Sequence, residues 1–352
     1  MTQGVGSQQA GPSGMPPLGV TMPVDDGLGV PEYVRLARAA EAAGYDSVWC
    51  GEVAGPEVFS LLGVLAASTS QVRLGTGIAN VYARSAALAA MGFATLSSAA
   101  PGRVLAGLGA SSPMVVRDWH GREHDRPLAT VEGYVTALRS AWAGERVRVE
   151  HPRTHGFRSS LLPPQVPPVV LAAMNPRMLR LAGRVADGVF LTWCPPDEVP
   201  GLLAHVRAGE AEAGRPPGSV WAMASYWAYA GDRYDEAMTR MRRLVLQYAM
   251  VPTHRGSFAG AWDDLDRATE RWRGGDRAGA LALVPDAAVH RLCAVGDGAH
   301  VAGRAADLRA AGIALPVLLT PGAEPGDLDG PLDTVARTAD AAAGRTDEPR
   351  PA

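Results

Sequence analysis

Chemistry in this chain has few ionisable side chains to work with. Apolar stretches that read as buried strands run into Met22, Glu52, Asn80 with Tyr82, Ser111 with Ser112, Met174 with Asn175, Trp193 with Cys194, Trp227 with Tyr229, and Thr320. Of these only Glu52 is charged at neutral pH. One carboxylate can hold, orient or pass a proton, but it cannot perform glycoside hydrolysis, which needs two. Glu52 could equally cap the helix after it or pair with an arginine. No His, Cys, Asp and Glu cluster has metal-ligand spacing, so no metal site is expected. No G-x-S-x-G elbow is present either. What remains at these positions is glycine, alanine, amide and aromatic surface. That surface suits a flat heteroaromatic ligand, and a hydride carrier asks the protein mainly for binding, orientation and electrostatics. Two histidines, His120 and His124, lie with Trp119 in an aperiodic polar stretch over 111–128; it reads as a loop covering the site, with Trp119 and His120 facing inward.

The elements that would carry these residues follow from periodicity. Residues 72–80 (V-R-L-G-T-G-I-A-N) and 103–109 (R-V-L-A-G-L-G) are apolar runs ending in small residues, as buried parallel strands do. Between them 84–99 is a strong helix former, stopped by Pro101-Gly102. Gly75 and Gly77 could serve tight packing or a ligand's close approach. A second strand–helix–strand unit covers 169–193. Its helix places Met178, Leu181, Ala182 and Val185 on one face, with Asn175 as N-cap and Pro176 at the first position. Further strands are expected over 18–21, 47–51, 220–230 and 313–320, alternating with helices. Eight strands alternating with helices predict an (α/β)8 TIM barrel whose site lies at the carboxyl ends of the strands. Residues 1–17 read as a disordered leader, 18–340 as one barrel domain, and 341–352 as a polar tail. Two excursions are expected: a Pro- and Arg-rich stretch over 144–168 with a short hairpin, and a mostly helical insertion over 232–283.

Composition narrows the class further. The 352 residues are 47% hydrophobic and 20% charged, with a formal charge of -3. These values fit a globular enzyme and argue against nucleic acid or a membrane as partner. The three cysteines are too few and too scattered for a disulfide framework or a zinc knuckle. No apolar leader or membrane-length run is apparent, so a cytoplasmic location is expected.

Five blocks taken together carry a resemblance. L-A-R-A-A-E-A-A-G-Y-D-S-V-W-C-G-E, V-R-L-G-T-G-I, P-G-R-V-L-A-G-L-G, L-A-A-M-N-P-R-M-L-R-L-A-G-R-V-A-D-G-V and A-V-G-D-G-A-H-V-A-G-R-A-A-D-L-R-A-A-G-I resemble, in order over about 18–340, the luciferase-like superfamily. Within it the chain resembles the coenzyme F420-dependent oxidoreductases. The resemblance implies hydride transfer between that deazaflavin and a small organic substrate. An FMN-dependent monooxygenase on the same fold is the alternative, and a non-catalytic cofactor-binding protein a lesser one. It implies a cis peptide at Gly77-Ile78 behind the ring, with Asn80 just beyond. Coenzyme contacts are implied at Gly109, Ala110 and Ser111, and a phosphate-side loop at Ala173, Met174 and Asn175 leading to Arg177. A helix N-terminus suits an anion, having free N–H donors and a positive dipole end. Glu52 is the catalytic candidate, and Trp119, His120, Trp193 and Trp227 the substrate side. Arg153, Arg158 and Arg177 would meet the coenzyme's acidic tail, and the family pattern implies a homodimer. Glu52-Val53 replaces the Asp-His of sugar-phosphate-oxidising relatives, and Ser112 replaces their glutamate, so that substrate is not carried over.

Overall fold

Short apolar strands alternating with helices can bury both strand faces by closing into a ring, and this chain does so. The structure, a computed structural model, describes residues 15–24, 26–251 and 262–345. In chain order it begins β1 (Gly19–Thr21), α1 (Val30–Ala42), β2 (Ser47–Cys50), α2 (Val58–Ser68), β3 (Arg73–Thr76), β4 (Ala79–Asn80), α3 (Ala86–Ala99), β5 (Val104–Gly109) and α4 (Pro127–Trp142). A two-stranded antiparallel hairpin of β6 (Arg148–Val149) and β7 (Thr154–His155) follows, where the R-V-R-V hairpin was expected. Then come β8 (Val169–Ala172), α5 (Pro176–Val185), β9 (Gly188–Thr192), α6 (Val199–Glu212) and β10 (Trp221–Ala230). After α7 (Tyr234–Ala249), α8 (Trp262–Arg273), α9 (Arg277–Ala282) and α10 (Asp286–Leu292), the chain ends with β11 (Cys293–Gly296), α11 (Gly298–Ala310), β12 (Leu315–Leu319) and α12 (Asp329–Ala342).

Eight parallel strands close the ring in the order β12, β1, β2, β3, β5, β8, β9, β10 and back to β12. Register is continuous around it: Gly19 lies opposite Val317 on one side and Ser47 on the other. This is the TIM barrel expected, with the eight anticipated strands as its staves. The Gly77-Ile78 peptide is cis, and β4 resumes the line of β3 after it, pairing Ala79 with Leu108 of β5.

Side chains fill the ring. Trp49, Leu105, Val170, Phe190, Met223, Leu315 and Val317 form the inner cluster, while a larger core lies between the strands and the helices. Trp49 and Phe190 meet at 5.5 Å between ring centroids. A Cβ on Gly75 would lie 2.3 Å from the Trp49 ring, so Gly75 exists to admit that indole. Of its two readings, tight packing holds.

The helices run back to the amino end of the barrel, where charged side chains tie the chain. Glu41 accepts from the backbone N–H of Ser70, Gln71 and Val72 at 2.8, 2.6 and 3.0 Å. Arg103 donates to the carbonyls of Val72 and Ala66 at 3.1 and 3.0 Å. Glu210 has only 1% of its side chain exposed, yet it accepts from Val220 N at 2.7 Å, Gly218 N at 2.9 Å and Arg207 Nη1 at 3.0 Å. Burial opposes its ionisation, but the amides of Val220 and Gly218 and the Arg207 guanidinium hold its carboxyl below the ordinary glutamate range.

Three expectations are corrected, and a fourth falls largely outside the described residues. The leader over 1–17 extends too far: its first fourteen residues lie outside the described residues, but Met15 is buried in the core and Arg309 donates to the Pro17 carbonyl at 2.8 Å. Of the tail over 341–352, residues 346–352 lie outside the described residues. The insertion runs on past 283 through α10, and β11 was not anticipated; four residues directly after a helix offer no periodicity to read. The stretch over 111–128 is not wholly irregular, because Val115–Trp119 forms a π-helical turn that buries Val115 and Val116.

Candidate functional site

The carboxyl ends of the strands gather the residues expected there. At the end of β8, Asn175 caps α5: its side-chain oxygen accepts from Met178 N at 3.0 Å, and Pro176 opens the helix. Asn175, Pro176 and Arg177 are exposed there; Pro176 has no N–H and Leu179 N bonds Asn175 O at 3.0 Å, which leaves the Arg177 N–H as the first-turn donor without an intrahelical partner. Two neighbouring tips are held in strained backbone. Ser111 after β5 has φ 57° and Trp193 after β9 has φ 55°. Positive φ is uncommon for any side chain and an outlier for a bulky one, costing about 1–3 kcal/mol. Such residues gather at functional sites because packing elsewhere must hold them.

Glu52 stands at the tip of β2, but not as a free acid. Arg84 grips both its oxygens, one pair at 2.7 Å and the other between Arg84 Nη2 and Glu52 Oε1, and Asn80 N reaches Glu52 Oε2 at 3.3 Å. Both side chains are 11% exposed. Arg84 also reaches Glu57 at 2.9 Å and lies 4.9 Å from the Phe59 ring. Burial opposes the Arg84 charge, yet the carboxylates of Glu52 and Glu57 raise its pKa above the ordinary value. Of the open readings of Glu52, pairing with an arginine is the one the structure shows. Sequence reasoning missed Arg84, although a signal existed: it is the only charged residue between Val81 and Ala100.

A second group is aromatic. Trp193 lies 5.7 Å from Trp227 and 4.7 Å from Tyr248, between ring centroids, joining the tips of β9 and β10 to the last turn of α7. Tyr248 was missed, because nothing local in an amphipathic helix says which barrel strand it will face. Buried polar atoms without a hydrogen-bond partner also occur here among the described residues: Thr21 Oγ1, Asn80 Nδ2, Trp227 Nε1 and Thr320 Oγ1. An unsatisfied buried donor or acceptor costs about 1–3 kcal/mol. His124 Nε2 is another, its ring 5.0 Å from Tyr82. Burial pushes the Cys194 thiol up to about 12, so it stays protonated and is no nucleophile.

Other expected residues fall elsewhere. Trp119 is 50% exposed and His120 is exposed, because the π-helical turn uses Val115 and Val116 to anchor itself and turns the residues after them outward. Neither faces inward. Arg158 donates to Gly144 O at 2.8 Å, beyond the carboxyl end of α4 and hence at the amino end of the barrel, away from Asn175. The family resemblance stands without it.

Comparison with known proteins agrees with the fold. The family described as luciferase-like monooxygenase matches residues 13–315. Over 215 residues the chain is 33% identical to the 5,10-methylenetetrahydromethanopterin reductase of Methanolobus tindarius. That match takes in 60% of this chain and 64% of the reductase, just under two thirds of its length. A Mycobacterium tuberculosis protein named as a coenzyme F420-dependent oxidoreductase is 28% identical over 321 residues, covering 83% of this chain and 91% of its own. The solved coenzyme F420-dependent tetrahydromethanopterin reductase of Methanopyrus kandleri superposes with a TM-score of 0.81 at 21% identity, covering 91% of this chain and 97% of that one, which shows a shared fold.

Proposed function

Because the chain belongs to the luciferase-like monooxygenase family, we propose that it is an oxidoreductase using the deazaflavin coenzyme F420 and a small organic substrate. The observation that carries this reading is local. Strained backbone at Ser111 and Trp193 flanks a capped helix N-terminus at Asn175, on the face where relatives of this fold place their sites. Names of the relatives supply the coenzyme.

The residues present fit such a group. Met178 N and Leu179 N are already bonded to Asn175, so the Arg177 N–H, the positive end of α5 and the exposed Arg177 side chain are what would meet a phosphate. The backbone at Gly109, Ala110 and Ser111, and at Ala173, Met174 and Asn175, would hold the coenzyme, with Asn80 Nδ2 a donor in want of an acceptor. The cis Gly77-Ile78 peptide would lie behind its ring. When bound, the coenzyme supplies or accepts a hydride. The protein's own part is to exclude water with Trp193 and Trp227 and to hold the Glu52–Arg84 ion pair beside the site. With both oxygens already engaged by Arg84, Glu52 acts by orientation and charge more readily than by passing a proton.

The reading extends to a cytoplasmic homodimer. All three cysteines are free, as suits a reducing compartment. Val64 of α2 and Leu88 and Met91 of α3 stand 41%, 54% and 44% exposed on neighbouring helices, an apolar surface a second copy would cover.

Titrating the purified protein with F420 and with FMN, at low and moderate salt, tests the coenzyme. Tighter binding of F420, with the margin shrinking as salt rises, is expected. Tighter binding of FMN at both salts, with oxygen-dependent turnover of the reduced flavin, would hand the site to a flavin monooxygenase. Sedimentation at micromolar concentration tests the dimer, and a monomer there removes it.

A further inference from the structure

Alternation along the strands sorts the unsatisfied atoms by direction. Met223 and Leu315 lie opposite one another and belong to the barrel's inner cluster. Four residues on, Trp227 and Leu319 are again opposite, so they share that inward side. Leu319 is in turn opposite Thr21, and Thr21 opposite Trp49, another inner residue. Thr21 and Trp227 therefore both face the barrel axis towards the carboxyl end, on the strands either side of Leu319. Trp227 is 6% exposed and Thr21 2%, and Trp227 Nε1 and Thr21 Oγ1 have no partner among the described residues. Beside them Trp193, Trp227 and Tyr248 form a continuous aromatic wall, with Tyr248, Met174 and Leu319 half-buried at its edge. None of these side chains carries a charge.

We propose that this sector of the mouth takes a neutral, ring-bearing substrate with a carbonyl or hydroxyl oxygen. Its ring lies on the aromatic wall and its oxygen accepts from Trp227 Nε1–H, with the Thr21 hydroxyl as a second partner. This rests on the oxidoreductase reading and names the substrate class for it. The indole N–H is a donor only, so it selects an oxygen acceptor. A buried donor rejects a ligand that leaves it unpaired more strongly than an apolar wall rejects one of slightly wrong shape.

Acetophenone and ethylbenzene, matched in size and differing in the oxygen, are the probes. With full-length protein carrying 15N-labelled tryptophan, the Trp227 indole resonance, assigned by its loss in Trp227→Phe, should move downfield with acetophenone and not with ethylbenzene. Acetophenone should bind about tenfold more tightly. Trp227→Phe keeps the ring and should erase that preference, and Thr21→Val should reduce it by a smaller factor. A packing role alone would move neither the resonance nor the preference. Equal binding of the two probes, binding of neither, or a preference that survives in Trp227→Phe overturns the proposal. Titrations are run with and without F420. If neither coenzyme binds but the oxygen preference holds, the redox reading falls and this site stands. If F420 binds and the preference is absent, this proposal falls alone.

Discussion

The two ends of the barrel treat polar groups in opposite ways. At the amino end every notable charge is spent on the chain itself: Glu41 holds three backbone amides, Glu210 two amides and an arginine, and Arg103 two carbonyls. At the carboxyl end Thr21, Asn80, Trp227 and Thr320 bury polar atoms with nothing to bond, and Ser111 and Trp193 hold left-handed backbone. Unsatisfied atoms also occur towards the amino end, at Trp221 Nε1 and Arg309 Nε, but only at the carboxyl end do they gather with left-handed backbone outside glycine. The difference separates the end that stabilises the barrel from the end kept available to a ligand, a division common to enzymes of this architecture.

Substitutions can break or sharpen that division. The largest effect is expected from Glu210→Ala, which strands the buried Val220 amide and removes the partner of Gly218 N and of the Arg207 guanidinium. It should lower unfolding free energy by about 3 kcal/mol in denaturant titration while coenzyme affinity of the folded protein stays unchanged. The same end should set the acid limit. Glu210 and Glu41 are both held low: burial opposes their charge, but backbone amides and arginines outweigh it. A depressed carboxylate contributes stability above its unfolded value near 4.5 and loses it as pH falls through its lower folded value. The denaturation midpoint should therefore be flat from pH 7 to 5 and drop below about 4.5, less steeply in Glu210→Ala.

At the mouth the ranking should invert. Glu52→Gln should cut turnover about 100-fold, equivalent to about 2.7 kcal/mol, with little change in coenzyme affinity and a smaller stability loss than Glu210→Ala. Unchanged turnover would make the Glu52–Arg84 pair a structural clasp. Asn175→Ala removes a cap worth about 1 kcal/mol of stability and should weaken coenzyme binding several-fold, read in parallel by unfolding and titration. If only stability moves, the start of α5 is not the anion site. The smallest effect belongs to Trp119→Ala, expected within about 0.5 kcal/mol and twofold in turnover because the side chain is 50% exposed. A large loss of turnover there would restore the inward-facing lid.

The barrel was legible because strand and helix periods, Gly and Pro stops and caps are local. Asn175 and Pro176 announce the start of α5 in the sequence and occupy those positions in the structure. What escaped was long-range. Arg84 pairs with Glu52 across 32 positions, and no pattern in either segment names the other. Gly75 was ambiguous until Trp49, on the next strand, was seen to fill its space. The π-helical turn escaped for a different reason: Val115, Val116 and Trp119 follow neither period, and which of them is buried is settled by the packing beneath.

One feature of the ring has a mechanical consequence. The lower half of β10, residues 221–225, pairs with β9, and residues 223–227 pair with β12; its upper part, residues 227–230, continues beyond them to pair with β11. Barrel wall and insertion thus share one unbroken strand, which acts as a mast rather than a hinge. The insertion's root cannot tilt without bending a stave of the barrel, and a closed ring of parallel strands is stiff. Tyr229 and Trp227 ride on that mast, so their distance from the inner cluster is held constant. Any breathing that admits a ligand must come from the helices hung on it, α7 and those after it, which would carry Tyr248 of the aromatic wall with them while Trp227 stays still.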